Sequence, residues 1–313
     1  MMVDVIEILS ALVHLGAFAG QVIREVVDSG ESLRTISKAD TAFDPQTIAD
    51  TRAQQRIVES LRRHFGSTLT IVGEEGQLDV PADEDVLAPL PPSALLMAAF
   101  APLAVAIEDV AVWIDPLDGT RKFTEKVYDD VSVLLGISVR GRPIAGVMHQ
   151  PFLGPFGTTY FGGPAIDGVV VCVLPSAEAS SWQFTPVARP STMPRPRLLV
   201  GISETPCDLV DAVLPSLNMD ILVKGSTGIL LLDVLLGRCD VYLRLVHRTK
   251  RWDTCVGEAF VTVFGGRVTD RHGHLYVYDP AADYENLQGV VASLDSATGH
   301  AVVALVNDPA KAR

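Results

Sequence analysis

The eight residues Trp113–Thr120 constrain this chain more than any other segment. They read Trp-Ile-Asp-Pro-Leu-Asp-Gly-Thr and complete an apolar run. A short apolar run that ends in turn residues predicts a buried strand. Pro116 fixes its own φ and keeps Asp115 extended, so the chain turns sharply where the strand ends. Asp115, the Leu117 carbonyl and Asp118 can then face one point.

This turn has the chemistry of a metal and phosphate site. Carboxylate and carbonyl oxygens are the ligands that a hard divalent cation prefers, so the segment favours Mg²⁺ over Zn²⁺. A helical segment is predicted to begin at Gly119 and Thr120, and its free backbone N–H groups suit a phosphate beside the metals. An ordinary Asp-Gly turn is the competing interpretation, and the buried strand in front of the turn disfavours it.

The length of the chain limits the number of subdomains it can form, and its net charge limits the kinds of partner it can bind. With 313 residues, the chain exceeds the usual size of one core, which predicts two coupled subdomains. We place the metal ligands mostly in an α+β subdomain of residues 1–157, and the substrate pocket in an α/β subdomain of residues 158–313. The formal net charge of −13 disfavours a nucleic acid polymer or an anionic membrane as partner. An anionic substrate therefore requires local cations.

The cysteines and the N-terminus predict the compartment. The four cysteines have no Cys-x-x-Cys spacing, which is typical of reduced thiols in a cytoplasmic protein. The N-terminal stretch is apolar, but Asp4 and Glu7 lie where a signal peptide carries Lys or Arg. We therefore expect an amphipathic first helix rather than a membrane segment.

Periodicity and turn residues predict a layered mixture of helices and strands. The predicted helices cover 3–28, 45–65, 209–217, 227–236 and 254–264, and the predicted strands cover 69–72, 131–139, 144–148, 198–201 and 241–245. Residues 79–108 are predicted to form an insertion with a short helix near the site entrance.

Four segments together resemble the Mg²⁺-dependent, Li⁺-sensitive phosphatases of the inositol monophosphatase superfamily. The segments are Asp115–Thr120, Ile48–Asp50 at a helix start, Ile71–Glu75 at a strand end and Trp252–Cys255 at a second helix start. The resemblance extends from about Val3 to Asn307 and implies an α/β fold of the layered αβαβα sandwich type. Within the superfamily, Val133–Ile137, Ile144–Val147 and Lys250–Cys255 are similar to the 3'(2'),5'-bisphosphate nucleotidases.

The resemblance implies roles for individual residues. The implied ligands of two or three Mg²⁺ ions are Glu74, Asp115, the Leu117 carbonyl, Asp118 and Asp253, with Glu75 either in a secondary role or simply solvated. Two metals can stabilise both the attacking and the leaving oxygen of an in-line displacement. Thr120 and Asp50 match the pair that orients and deprotonates the attacking water, although Asp50 taken alone would be a helix N-terminal acid.

The substrate side of the site departs from the superfamily pattern. The implied contacts are Gly119, Thr120, Ser203, Ser226 and Arg251, with Arg248 and Lys250 as further cations. Leu230 occupies the position of a lysine that binds the second phosphate in the bisphosphate nucleotidases. Glu204 occupies the position of a histidine that contacts the nucleotide.

The resemblance therefore predicts a Mg²⁺-dependent phosphomonoesterase that converts adenosine 3',5'-bisphosphate to AMP and phosphate, in sulfur assimilation. The alternatives are an inositol polyphosphate 1-phosphatase or inositol monophosphatase, and a catalytically silent member that binds a nucleotide or a protein. A silent member is expected to lack a metal ligand or Thr120, and this chain has all of them. The expected partner is a small phosphate ester, and the expected state is a monomer or homodimer.

Overall fold

The computed structural model describes residues 1–31, 33, 35–37, 45–87, 94–173, 183–191, 196–204, 207, 210, 219–246 and 249–308. Within them the α-helices are α1 (Val5–Asp28), α2 (Ile48–Phe65), α3 (Ala94–Ala99), α4 (Thr120–Thr124), α5 (Thr227–Leu235), α6 (Arg251–Val263) and α7 (Ser296–Val306). Strands β1–β8 are Met2–Asp4, Ile36–Ser37, Pro45–Gln46, Thr70–Gly73, Ala104–Ala106, Val110–Asp118, Ser132–Val139 and Arg142–Gln150. Strands β9–β16 are Thr158–Gly163, Gly168–Val173, Gln183–Pro186, Leu198–Ser203, Met219–Lys224, Val241–Arg244, Arg267–Thr269 and Val290–Ser293.

The described elements stack in five layers around two main sheets. The first sheet has seven strands in the order β11-β10-β9-β8-β7-β6-β4, and the second has five in the order β13-β12-β14-β16-β15. Helices α1 and α2 cover the outer face of the first sheet, α5 and α6 lie between the sheets, and α7 packs on β16. The layering confirms the predicted αβαβα sandwich.

Strand β6 lies inside the first sheet, parallel to β4 and antiparallel to β7. All nine of its residues are buried, as expected for a continuous apolar run covered on both faces. The two strands predicted over 131–139 and 144–148 are confirmed as β7 and β8, which pair as a hairpin with Arg140 and Gly141 both at positive φ between them. Such a two-residue turn matches the twist of antiparallel strands.

The first sheet extends further along the chain than predicted. Strands β9, β10 and β11 pair in series with β8, so the predicted boundary after residue 157 divides one sheet. The change from the first sheet to the second instead falls between Pro186 and Leu198. The predicted helix over 209–217 lies almost entirely outside the described residues, as does Arg248.

The segment predicted as an insertion packs against the outer helices. Strand β5 pairs with β1, and α3 contacts α1. Asp85 forms an ion pair with Arg56 of α2, and Asp83 forms one with Arg63 at 2.8 Å. The described part of residues 79–108 therefore covers α1 and α2.

Helix α1 buries 15 of its 24 residues, while Glu7 and Arg24 are half-buried and Gln21 and Glu25 are exposed, as expected for an amphipathic helix. The first sheet, α2 and α3 all pack against it. By length and composition alone α1 is apolar enough to cross a membrane, and 72% of its most apolar window is buried inside the fold. Its apolar surface is therefore already used for packing.

Candidate functional site

The candidate site is built around an irregularity at the end of β6. Asp115 pairs with Leu134 of β7 and Asp118 pairs with Ser132, so the two residues between the aspartates lie opposite a single residue of β7. A bulge of this kind re-aims side chains at the end of a strand. The Leu117 N–H donates to the Asp115 carboxylate at 3.0 Å, which fixes the turn. Both carboxylates are buried.

Three carboxylates from three separate elements meet beside this bulge. Glu74 follows β4, Asp115 lies in β6, and Asp253 lies in the first turn of α6. One oxygen of each lies within 4.8 Å of the others. The Lys250 N–H donates to Asp253 at 2.8 Å, so Asp253 holds the helix start while its other oxygen remains available. The arrangement brings together three of the predicted metal ligands.

Burial and the repulsion between like charges raise the pKa values of two carboxylates in this cluster. Burial raises the pKa of Asp253 to about 8, and the negative charges of Glu74 and Asp118 add to the effect. Burial also raises the pKa of Asp115 well above its ordinary value, with Glu74 as the next cause. Like charges held together in a dry site favour a bound cation, and a donor set made only of oxygen suits Mg²⁺ or another hard divalent ion.

Asp118 lies next to the three-carboxylate cluster and also connects the two sheets. Its carboxylate accepts hydrogen bonds from the Gly228 N–H at 2.7 Å, the Thr227 N–H at 3.3 Å and the Ser132 hydroxyl at 3.1 Å. A side chain on Gly228 would collide with Asp118, because a Cβ there would lie 2.6 Å from a carboxylate oxygen. Burial raises the pKa of Asp118 to about 6, and the Gly228 N–H is the largest opposing cause.

The predicted pair of Thr120 and Asp50 is in hydrogen-bond contact. The Thr120 hydroxyl lies 2.9 Å from an Asp50 oxygen and 2.9 Å from the Leu117 carbonyl. The other Asp50 oxygen accepts from the N–H of Thr47 at 2.8 Å and from its hydroxyl at 2.5 Å. One oxygen of Asp50 therefore stabilises the start of α2 and the other faces Thr120. Asp50 is thus both a helix N-terminal acid and the partner of Thr120, so the two interpretations of this residue are compatible. Burial raises its pKa to about 6.

Two of the predicted substrate residues, Gly119 and Ser226, lie against each other at the starts of α4 and α5. Gly119 has φ of 87°, and a Cβ there would lie 2.3 Å from the Asp130 carbonyl, so only glycine fits. Ser226 caps α5 and also hydrogen-bonds Asp118. Ser203 is half-buried at the end of β12. Glu75 is half-buried, and its N–H donates to Gln54 at 3.0 Å.

The prediction that Arg251 contacts the substrate does not fit its position. Its guanidinium donates to the carbonyls of Val277 at 3.0 Å and Glu285 at 3.2 Å, and to the Asn286 side chain. It also stacks 4.2 Å above the Tyr276 ring. These contacts hold the charge in the core behind α6. Lys250 lies over Trp252, at 5.3 Å from the ring.

The two substitutions in the substrate pocket have different surroundings. Leu230 is fully buried in the core between the sheets, against Gly201. Glu204 lies at the surface of the pocket and forms an ion pair with Lys122 at 2.6 Å. Lys122 also pairs with Glu125 at 2.8 Å. The Lys122–Glu204 contact joins α4 to the end of β12, and nothing in the spacing of the two residues along the chain signals it.

Comparison with known proteins finds similarity to one family and to phosphatases within it. The model of the inositol monophosphatase family matches residues 4–308. The chain is 32% identical over 281 residues to human 3'(2'),5'-bisphosphate nucleotidase 1. This alignment covers 88% of this chain and 87% of the human protein. It is 28% identical over 304 residues to the Golgi-resident adenosine 3',5'-bisphosphate 3'-phosphatase of Callithrix jacchus, with coverage of 93% and 78%.

A solved structure supports the fold. The crystal structure of the extragenic suppressor protein suhB from Bartonella henselae superposes with a TM-score of 0.65 at 18% identity. The match covers 96% of this chain and 98% of the other.

Proposed function

This chain belongs to the inositol monophosphatase family, and from that premise we propose that it is a Mg²⁺-dependent 3'(2'),5'-bisphosphate nucleotidase. The reaction is hydrolysis of adenosine 3',5'-bisphosphate to AMP and phosphate. The observation that carries the chemistry is the carboxylate cluster beside the Thr120–Asp50 pair. The observation that carries the substrate is the identity to the human nucleotidase over most of both chains.

The metal ligands in this proposal are the carboxylates of Glu74, Asp115, Asp118 and Asp253, with the Leu117 carbonyl. Two or three Mg²⁺ ions, when bound, lower the pKa of water and neutralise the phosphate. The elements that carry these residues are held in place from outside the site: the β6 bulge is pinned by the β7 ladder, and Asp253 by the start of α6. Asp118 faces both the cluster and the start of α5, and so couples ligand placement to sheet docking.

Thr120 and Asp50 carry the proton transfer. The Thr120 hydroxyl can give its hydrogen to Asp50 and accept one from the attacking water, because Asp50 lies 2.9 Å away. The new oxygen–phosphorus bond forms as the ester bond to the nucleoside oxygen breaks, and that oxygen takes a proton from solvent. Asp50 is a suitable acceptor, since its pKa of about 6 leaves it mostly ionised at neutral pH and close enough to receive a proton.

Glu204 favours a second candidate. A carboxylate at the pocket accepts hydrogen bonds from hydroxyl groups but repels a second phosphate, which suits an inositol phosphate. This reading predicts an inositol monophosphatase or inositol polyphosphate 1-phosphatase. Glu204 is, however, already paired with Lys122 at 2.6 Å, so its negative charge is compensated. We therefore retain the nucleotidase as the better-supported proposal.

The proposed compartment is the cytoplasm. Its support is that Cys172, Cys207, Cys239 and Cys255 are all buried free thiols. The relative from Callithrix jacchus is Golgi-resident by name, so relatives differ in compartment. Fractionation with an antibody against the native protein tests this proposal.

A phosphate-release assay tests the function. The purified protein is assayed with adenosine 3',5'-bisphosphate, inositol 1-phosphate and inositol 1,4-bisphosphate, each with Mg²⁺, with EDTA, and with added Li⁺ or Ca²⁺. The proposal expects release from the adenosine substrate in Mg²⁺ only, and inhibition by Li⁺ and by excess Ca²⁺. Full turnover in EDTA contradicts the metal requirement. Turnover of an inositol phosphate alone contradicts the nucleotidase.

A further inference from the structure

Strand β6 and helix α6 carry two of the carboxylates that meet at the candidate site, Asp115 and Asp253. The two elements belong to different layers, because α6 lies between the sheets. The Leu117 N–H fixes Asp115 from within β6, and the Lys250 N–H fixes Asp253 at the start of α6. These two bonds leave the separation of the carboxylates to contacts that join β6 to α6.

Tyr278 contacts both elements from one fully buried position. Its ring packs edge-on against the Trp113 indole of β6, with 6.0 Å between the ring centroids. Its hydroxyl lies 3.0 Å from the Thr254 hydroxyl near the start of α6. The same hydroxyl donates at 2.9 Å to the carboxylate of Glu258, one turn further along α6. Tyr278 therefore ties β6 to two successive turns of α6.

The contact with Trp113 acts on the face of β6 that carries Asp115. Residues two apart on a strand point to the same side of the sheet. Trp113 lies in one buried cluster with Trp252 of α6 and Tyr278. The Trp113 indole N–H donates to the Ser138 hydroxyl at 2.9 Å, and that hydroxyl donates to the Tyr278 carbonyl at 3.3 Å. Both the ring and the backbone of Tyr278 are thus connected to the residue two positions before Asp115.

The contact with Thr254 acts on the residue next to Asp253. Asn286 supports the same turn from a fully buried position. Its side-chain N–H groups donate to the Lys250 carbonyl at 3.0 Å and to the Thr254 hydroxyl at 3.3 Å. Hydrogen-bond partners around metal ligands fix the orientation of those ligands, and their loss weakens metal binding. The side chains that hold Thr254 therefore also hold the turn that presents Asp253.

Glu258 orients the Tyr278 hydroxyl. The Glu258 carboxylate is buried and forms an ion pair with Arg142 of β8, which also donates to the Tyr276 carbonyl at 2.7 Å. A tyrosine hydroxyl has one hydrogen, and an ionised carboxylate is the stronger acceptor. That hydrogen therefore goes to Glu258, and the Thr254 hydroxyl donates to the Tyr278 oxygen. The chain of hydrogen bonds runs from Arg142 to the start of α6.

We propose that Tyr278 is a positioning residue for the metal centre: it holds the start of α6 against β6 and so sets the separation of Asp115 and Asp253. This inference rests on the proposed metal-dependent function and deepens it. It names a residue outside the carboxylate cluster on which the affinity for Mg²⁺ depends. Tyr278 acts on the two carboxylates through Trp113 and Thr254 rather than as a ligand.

The test removes the Tyr278 hydroxyl and measures Mg²⁺ binding directly. Wild type and Tyr278→Phe are stripped of metal with EDTA, dialysed and titrated with Mg²⁺ by calorimetry. The dissociation constant for Mg²⁺ should rise about 10-fold in Tyr278→Phe, at the low end of the range for groups that support a metal ligand. The Mg²⁺ concentration for half-maximal phosphate release should rise by the same factor. The kcat at saturating Mg²⁺ should change by less than about two-fold, because the ligands themselves are kept.

Tyr276→Phe is the matched control. The Tyr276 hydroxyl donates to the Gly289 carbonyl at 2.6 Å, so each variant loses one buried hydrogen bond of a tyrosine. Both variants should lower the urea midpoint in EDTA to a similar extent. Tyr276→Phe should keep the Mg²⁺ dissociation constant within about two-fold of wild type, because its hydroxyl does not support a ligand-bearing element. A role of Tyr278 in stability alone would change both variants alike in both measurements.

The outcomes separate this inference from the proposed function. A wild type that binds no Mg²⁺ overturns both. Normal Mg²⁺ binding by Tyr278→Phe, or an equal loss of binding in Tyr276→Phe, overturns the role of Tyr278 and leaves the nucleotidase proposal intact. If Tyr278→Phe does not fold, Thr254→Val decides, because it removes the other hydroxyl and keeps the Tyr278 ring against Trp113. Unchanged Mg²⁺ affinity in Thr254→Val would then overturn the inference.

Discussion

The repulsion among the site carboxylates predicts that Asp253→Asn stabilises the metal-free protein at neutral pH. Burial and the neighbouring charges raise the pKa of Asp253 from 3.8 to about 8. The folded chain therefore binds a proton at Asp253 that the unfolded chain releases, between these two values. The stability that this bound proton contributes to the folded chain is complete below pH 3.8, and it is lost as the pH rises toward 8. For one such group the loss is about 1.4 kcal/mol for each pH unit.

Asparagine removes this charge with little change in shape. Its side-chain oxygen can still accept the Lys250 N–H, which lies 2.8 Å from Asp253. We expect urea unfolding in EDTA, followed by tryptophan fluorescence, to show that the variant is more stable than wild type by about 2 kcal/mol at pH 5. At pH 7 this difference should grow to about 4 kcal/mol. With Mg²⁺ the order should reverse, because only the wild type gains full stabilisation from the metal.

The control for this experiment is Asp295→Asn. Hydrogen bonds from Thr298 lower the pKa of Asp295, which caps α7 in an exposed position. The stability it supplies is complete above pH 3.8, so its removal should not produce a difference that grows between pH 5 and pH 7. Parallel pH profiles of wild type and Asp253→Asn in EDTA would refute the reasoning, since Asp253 would then not lie in a repulsive cluster.

Three further predictions concern the site and its surroundings. Asp118→Asn should lower kcat by at least about 1000-fold, because it removes a charge beside the phosphate. Near-normal turnover in saturating Mg²⁺ would exclude Asp118 as a ligand. Thr120→Val should lower kcat by about 100- to 1000-fold, while Mg²⁺ binding measured by calorimetry stays unchanged, since Thr120 moves a proton and contributes no ligand. Equal activity of Thr120→Val and Thr120→Ser would contradict this role. Arg251→Met should lower the free energy of unfolding by about 2–4 kcal/mol through lost hydrogen bonds to buried carbonyls. Its KM should change less than two-fold, and a large rise in KM without loss of stability would restore Arg251 to the substrate pocket.

The carboxylates that meet at the candidate site were predictable from the sequence because each lies at the end of a strand or the start of a helix. Asp115 and Asp118 flank a proline after an apolar run, and Glu74 follows a short strand. Helix geometry also explains why Arg251 lies away from the carboxylate cluster. It lies two positions before Asp253 in α6, and residues two apart on a helix point to nearly opposite sides. A residue two positions before Asp253 is therefore turned away from the cluster that Asp253 faces.

Contacts across the two sheets were not predictable from the sequence. Lys122 and Glu204 meet only because α4 and the end of β12 face each other once the sheets dock. The pairing of β9–β11 with the first sheet was not predictable either, because the sequence of a short strand does not indicate which sheet it joins.

The contact of the α5 N-terminus with Asp118 has a consequence for how activity appears during folding. Glu74 and Asp115 belong to the first sheet, while Asp253 and the N–H donors of Gly228 and Thr227 belong to the second half. Under the proposed ligand set, a half-folded chain lacks part of that set, so we expect turnover only once the two halves have docked. Two fragments divided between residues 186 and 198 should each be inert, and mixing them should restore turnover at the rate at which they associate.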